Sequence, residues 1–317
     1  MLVKKVMETN TGSGRRTSGF LRYMRDYGEL YLLVIPAVVF TLIFCYWPMY
    51  GVQIAFKNYS FAAGMFGSEW VGLKHFERFF SSPSFWNILR NTLGISLYGM
   101  VVGFPLPIIL ALMLNETANQ KFKKTVQMVT YMPYFISTVA VCGMLLLFLK
   151  KDTGVINVLI GMLGGEQKDL IAYPEYFWSI SVWSGVWQGM GWSSIIYIAA
   201  LSGVSQELVE AAVIDGANRF QKIWYVDIPA IRPTMVILLI LNCGSLLSVG
   251  SEKILLLQNS LNMEASEVIS TYVYRQGILN AQYDYTTAVG LFNSVANVIL
   301  LTITNTICRK VGDTSLW

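Results

Sequence analysis

The sequence predicts an all-α polytopic membrane protein with six transmembrane helices. Three observations carry this. Of the 317 residues, 54% are hydrophobic and only 13% are charged, where a soluble domain carries about 25% charged residues. The mean hydropathy is +0.51. The apolar residues also gather into repeated runs, and about 20 residues at ~1.5 Å rise each are enough to cross the hydrocarbon core.

The elements follow in order. Residues 1–28 form a polar, basic N-terminal tail, and "METNTGSGRRTSG" has the composition of a disordered cytoplasmic segment. No cleavable signal peptide is expected, because the apolar run after the tail is too long for one. Span one is Leu30–Val52, span two Ile88–Leu114 and span three Val126–Leu149. Span four is Tyr176–Leu201, span five Thr234–Val249 and span six Thr286–Cys308. Together they make a six-span body over residues 29–310, with a short tail at 311–317. The run Thr153–Gly165 is too short to cross and reads as a re-entrant or interfacial helix. Pro36, Pro48, Pro105, Pro107 and Pro133 fall inside spans. Each removes a backbone donor and bends its helix, which suits either plain packing or a bundle enclosing a path.

Orientation follows from the cations. With the N-terminus inside, 14 of the 23 Lys and Arg lie in inner segments. That bias puts both termini in the cytoplasm. The polar stretch at residues 205–233, between spans four and five, is then cytoplasmic too.

Several chemistries are disfavoured. There is no phosphate-binding G-x-x-x-x-G-K-[ST] loop, no H-E-x-x-H and no G-x-S-x-G. The chain therefore reads as neither an enzyme nor a nucleotide binder. Cys45, Cys142, Cys243 and Cys308 lie in apolar runs without metal spacing, and His75 is single. His75 fits a satisfied surface or interfacial position, and no metal is expected. Ion-driven carriers place charges at mid-membrane. Here only Arg90, Glu252 and Lys253 come near, at the outer ends of spans two and five.

The chain thus looks like a path without an engine, and the 205–233 segment is the place to dock one. Ser205 is a candidate N-cap for a short helix over 206–214. Gly216 can stop that helix or take a positive φ. Phe220, Ile223, Trp224 and Ile228 then resume a helical spacing, and Pro229 and Pro233 mark the entry to span five. From periodicity alone, an ordinary amphipathic connector on the membrane surface is favoured over a docking knob.

"EAAVIDGANRFQKIWYVDIP" (Glu210–Pro229) resembles the E-A-A-x-x-D-G-A signature of ABC importer permeases. Its fixed positions here are Glu210, Ala211, Ala212, Asp215, Gly216, Ala217 and Pro229. "WVGLKHFERFF", "YMPYFISTVAVCGM" and "GSEKILLLQN" resemble the complex-sugar, polysaccharide branch of the maltose-type, binding-protein-dependent superfamily. The resemblance implies a type I ABC importer permease fold with a cytoplasmic coupling helix at 205–233. It implies import of oligosaccharides released from a polymer such as alginate or pectin. It implies a second homologous permease as heterodimer partner, two ATPase subunits and an extracytoplasmic sugar-binding protein. ATP and magnesium would bind the ATPases, with no cofactor on this chain and no nucleic acid partner. Glu210 would accept a charge-assisted hydrogen bond from the ATPase, and Asp215 would bond backbone amides in the turn before Gly216.

A sugar needs hydroxyl partners and flat apolar faces, not many charges. Span four offers both in "WSISVWSGVWQGMGWSSIIY". Trp183 and Trp187 are four apart and share one helix face. Gly185 and Gly189 either allow a close helix approach or leave room for a sugar. Trp178 fits the interfacial aromatic belt. The maltose-type likeness places Trp187, Gln188, Gly189 and Trp192 at the sugar path, with Tyr131, Tyr134, Ser245, Ser248 and Glu252 from spans three and five. The chain departs from the maltose pattern at "SLLSVGSEK", which lacks the expected Asn residues. The alternatives left open are a permease for another polar solute such as a peptide or polyamine, a secondary carrier or channel, and a membrane scaffold.

Overall fold

The structure, a computed structural model, describes residues 27–311 and 315–317; all but the last two residues of the basic tail lie outside these. The chain divides into two units, Met1–Gln53 and Ile54–Trp317. In the first, α1 (Gly28–Thr41) passes into a π turn (Leu42–Tyr46) and then a 3₁₀ stretch from Trp47. Pro36 sits inside α1, none of whose residues is buried. Gly28–Phe56 as a whole is long and apolar enough to cross a membrane.

The second unit opens on a two-stranded antiparallel pair, β1 (Lys57–Asn58) with β2 (Glu69–Trp70). α2 (Lys74–Phe80) follows. His75 is buried, not at the surface. Its Nε2 lies 3.0 Å from the Lys57 carbonyl and 3.6 Å from the Asp284 carboxylate, so the ring staples α2 between the strand pair and the last helix.

α3 (Phe85–Gly103) and α4 (Pro105–Asn115) form one apolar length broken only at Phe104. Pro105 starts α4, where its missing N–H costs nothing. α5 (Gln120–Tyr131) begins at Asn119, whose side chain accepts from the Lys121 and Phe122 amides. A 3₁₀ turn at Met132–Phe135 leads to α6 (Thr138–Phe148), capped by Ser137. Span three is therefore not one straight helix. Its two halves meet at 96°, because Pro133 and the extended Ile136 and Ser137 interrupt the ladder. α7 (Val155–Met162) fills the short run seen in the sequence. Asn157 at its start is fully buried and donates to the Leu149 and Lys150 carbonyls at the end of α6.

α8 (Pro174–Ser202) is the axis of this unit. It packs on α3, α4 and α5. α9 (Gln206–Ile214) turns away from it by 77°. α10 (Arg219–Lys222) opens with a capping box between Asn218 and Gln221 and runs through a π turn (Ile223–Asp227) into α11 (Ile228–Gly244). Span five thus starts earlier and ends earlier than its apolar run, and Pro233 lies inside the helix. α12 (Ser251–Leu257), α13 (Ile269–Tyr274) and α14 (Tyr283–Val311) complete the chain.

Three apolar clusters hold these helices. One joins Phe79, Phe85, Ile88, Tyr272, Tyr285 and Val289. The second joins Ile95, Cys142, Phe177, Val182, Ile254 and Leu257. The third joins Ile108, Ala111, Leu112, Tyr197, Leu201 and Ile231. α8 supplies side chains to the second and third. Trp178 belongs to the packed interior and not to an exposed belt. It fills the space over Gly94, and its Nε1 donates to the Ala265 carbonyl at 2.9 Å. Loop polarity is satisfied inward as well. The fully buried Asn262 donates to Ile171 and Leu257 carbonyls and accepts from the Asn259 amide and the Ser266 hydroxyl.

Candidate functional site

The 205–233 segment is an exposed helix, a sharp turn and a second helical stretch. Ser205 stands at the N-cap position of α9 with extended backbone, but its side chain makes no cap bond. The turn closes as a Schellman motif: the Gly216 amide donates to Val213 at 3.1 Å and the Ala217 amide to Ala212 at 2.9 Å. Gly216 has φ +80°, the left-handed conformation that glycine adopts freely. Asp215 ends the helix, and among the described residues its carboxylate has no backbone amide partner. The reason is position, since a helix C-terminus presents carbonyls and not free N–H groups.

Glu210, Ala211, Asp215 and Gly216 are exposed, with Ala212 and Ala217 half-buried. Ile214 and Phe220 are each 84% exposed, and Leu208, Val213, Trp224 and Tyr225 are also bare. Apolar side chains clustered on one exposed segment form a surface for a protein partner or for the membrane. Its base is anchored by charge. The Lys222 ammonium pairs with Glu116 at the end of α4 and lies 3.9 Å from the buried Asp227 carboxylate.

The second feature is a cavity of about 760 Å³ between α3, α4, α8 and α11. Its wall carries Ser96, Gly99 and Gly103, then Ser181, Gly185, Gly189, Trp192 and Ser193, then Asn242, Ser245 and Val249. No charged residue lines it. Hydroxyls and an amide are scattered over an otherwise apolar wall, the pattern of a site for a neutral polar ligand. Gly185 and Gly189 serve space and not helix contact. A side chain at Gly189 would meet nothing within 4 Å, and one at Gly185 would meet only the Lys253 ammonium, at 3.4 Å. The close helix approach occurs instead at Gly191, where an added Cβ would come within 2.0 Å of the Thr130 carbonyl.

Of the path residues expected from the sequence, Gly189, Trp192 and Ser245 meet in this wall. Tyr134 stacks on Trp192, rings 4.6 Å apart and 3° from parallel, and Phe135 meets the same indole edge-on. Gln188 turns to the Ile136 carbonyl at 2.9 Å. Tyr131 packs against Gly191. Ser248 accepts from Asn297 at 2.9 Å, and Glu252 is exposed. Trp183 and Trp187 are about half exposed on the opposite side of α8, where Trp183 Nε1 donates to the Tyr98 hydroxyl. The sequence reading missed Ser96, Ser193 and Asn242, and it missed Gly99 and Gly103. The last two repeat the four-residue glycine spacing of α8, and that was the available signal.

Among the described residues no group of three His, Cys, Asp or Glu is placed to hold a metal. Comparison with known proteins places the chain. Residues 103–312 match the model of the binding-protein-dependent transport system inner membrane component family. Protein LplB of Bacillus subtilis (strain 168) is 44% identical over 288 residues, covering 91% of each chain. The polygalacturonan/rhamnogalacturonan transport system permease protein YteP of the same organism is 42% identical, covering 91% of this chain and 90% of its own. A chain of a bacterial alginate ABC transporter, solved in complex with its alginate pentasaccharide-bound periplasmic protein, superposes with a TM-score of 0.85 at 37% identity. That likeness covers 93% of this chain and 99% of the other. The fold is that of a type I ABC permease, a multi-pass membrane transport subunit and not an enzyme. The chain belongs to the family of binding-protein-dependent transport system inner membrane components.

Proposed function

We propose that this chain is the permease subunit of an ATP-driven importer of oligosaccharides, the breakdown products of a complex polysaccharide such as alginate or pectin. It crosses the bacterial plasma membrane six times with both termini in the cytoplasm, the bent pairs around α5–α6 and α8–α9 each counting one crossing. It forms half of the path beside a second homologous permease, receives sugar from an extracytoplasmic binding protein and is driven by two ATPase subunits. Relatives that serve polygalacturonan, rhamnogalacturonan and alginate systems support the substrate class.

The observation that carries the reading is the α9 turn. It sets Glu210 to Ala217 and bare apolar side chains outside the body of a chain that has no nucleotide-binding motif. A rigid helix seated in an ATPase cleft passes the closure of the ATPase pair to the spans. Small Ala211 and Ala212 let that helix seat, Glu210 offers a charge-assisted bond, and Gly216 and Asp215 close the turn. Gly189, Trp192 and Ser245 meet the sugar, with Tyr134 fixing the plane of Trp192. Tyr131 and Gln188 brace that wall from α5 and its 3₁₀ turn. Ser248 and Glu252 belong to the approach beyond Val249, and Trp183 and Trp187 to the part of the path that the partner permease completes. The test is co-purification with the ATPase and ATP-dependent uptake in reconstituted vesicles. Glu210→Ala and Gly216→Val are expected to cut uptake at least tenfold while the chain still inserts. Intact uptake and intact ATPase association in both variants would overturn the coupling role.

A further inference from the structure

One charge near the cavity has no use in the account above. Lys253 stands in the first turn of α12 and is only partly exposed. Its ammonium donates to the Ser181 carbonyl at 3.1 Å. It also occupies the place beside Gly185 where a side chain would otherwise sit. Ser181 and Gly185 both line the cavity, so the ammonium stands at the edge of that wall. Among the described residues no carboxylate lies within 4 Å of it. Its neighbour Glu252 faces solvent instead.

An ammonium carries three donors, and one carbonyl takes only one of them. Holding such a group away from bulk water without a counter-charge is costly. A charge held this way beside the cavity, at the outer end of span five, is therefore a candidate functional group. The cavity wall itself is neutral, so an anion seated there meets this one cation, and the exposed Glu252 of the approach lies more than 4 Å from the ammonium. The ammonium is a compact point charge with three donors, and a carboxylate that reaches it can accept one of the two left free by Ser181. The Ser and Asn side chains and Trp192 suit the hydroxyls and the flat face of a sugar ring.

We propose that Lys253 is the carboxylate-reading residue of this cavity, pairing with a uronate of an acidic oligosaccharide as it passes Gly185. This rests on the oligosaccharide reading given above. The glycine at 185 is what lets the ammonium and the sugar meet, since any side chain there would stand between them.

The test uses the full complex, with partner permease, ATPases and binding protein, in vesicles. The probes are a uronate trisaccharide, galacturonate or mannuronate as the wild type accepts, and its methyl ester. The acid-to-ester uptake ratio is read within each variant, so the amount of assembled protein cancels. Lys253→Met is expected to lower that ratio about tenfold relative to wild type, the scale of one hydrogen bond to a charged group. Lys253→Gln, read the same way, serves where the Met variant assembles poorly. Lys253→Arg is expected to hold the ratio within about twofold. An unchanged ratio in both neutral variants would overturn the proposal while leaving the importer reading intact. A wild-type complex that imports neither probe nor any other oligosaccharide would overturn the importer reading, and this inference with it.

Discussion

Gly189 and Gly191 lie two residues apart on one helix and have opposite reasons to be glycine. At Gly189 a Cβ would enter open space, whereas at Gly191 it would meet the Thr130 carbonyl at 2.0 Å and the Tyr131 ring at 3.0 Å. Backbone cannot yield as a flexible side chain can, so Gly191→Ala must push α5 away from α8. The cost of such overpacking is about 1–3 kcal/mol. Gly191→Ala is expected to lower the thermal midpoint of the purified protein by several degrees, and Gly189→Ala to leave it unchanged. Scanning fluorimetry on both decides it, and equal midpoints would show that α5 and α8 do not touch there. A sequence lists both positions simply as Gly. Which one bears a neighbour depends on where α5 comes to rest, and no local pattern encodes that.

Elements differ in how plainly they are written. Long apolar runs announce their helices because every backbone group in a bilayer must bond within the helix, so α3–α4 and α14 fall close to spans two and six. Pro133 marked a bend in span three, but the size of it, 96° between α5 and α6, was not legible, since the apolar composition continues across Pro133 and Ser137 without a change. The face of α8 was not legible either. Apolar residues lie all round it, so Trp183 and Trp187 stood out by type while the cavity wall formed on the other side, at Gly185, Gly189 and Trp192. The helix and turn of the 205–233 segment were legible because that turn needs particular residues, Gly216 above all. Its tie to the bundle was not, since Glu116 and Lys222 are 106 positions apart in sequence and meet only in the fold. Lys222 joins the end of α4 to the base of α10, and Asp227 beside it is 1% exposed. Lys222→Met strands that carboxylate, a loss of about 3 kcal/mol. The variant is expected to unfold at lower temperature, and adding Asp227→Asn should recover part of the loss because the pair then carries no stranded charge. If the double variant is less stable than Lys222→Met by the full cost of Asp227→Asn alone, the two residues are not coupled.

At the scale of the whole molecule the argument turns on sidedness. In the proposed six-span topology fourteen of the 23 cations fall on the side that carries the 205–233 segment, and a motor fuelled by cytoplasmic ATP needs that segment on the cytoplasmic side. In the proposed topology the loop at Glu166, between spans three and four, belongs to the opposite face; its carboxylate side chain is 78% exposed. These two positions therefore report on the proposed topology independently of transport. With Cys45, Cys142, Cys243 and Cys308 replaced, a cysteine placed at Glu166 should react with an impermeant maleimide in intact cells. A cysteine placed at Glu210 should react only after the membrane is opened. Labelling of the Glu210 position from outside would invert the molecule, remove the α9 turn from reach of any cytoplasmic ATPase and defeat the coupling mechanism whatever the cavity binds. Protection of both positions in intact cells, with the Glu166 site reacting once opened, would mean that α7 and its loop fold back toward the cytoplasmic face, and the crossing count would fall from six.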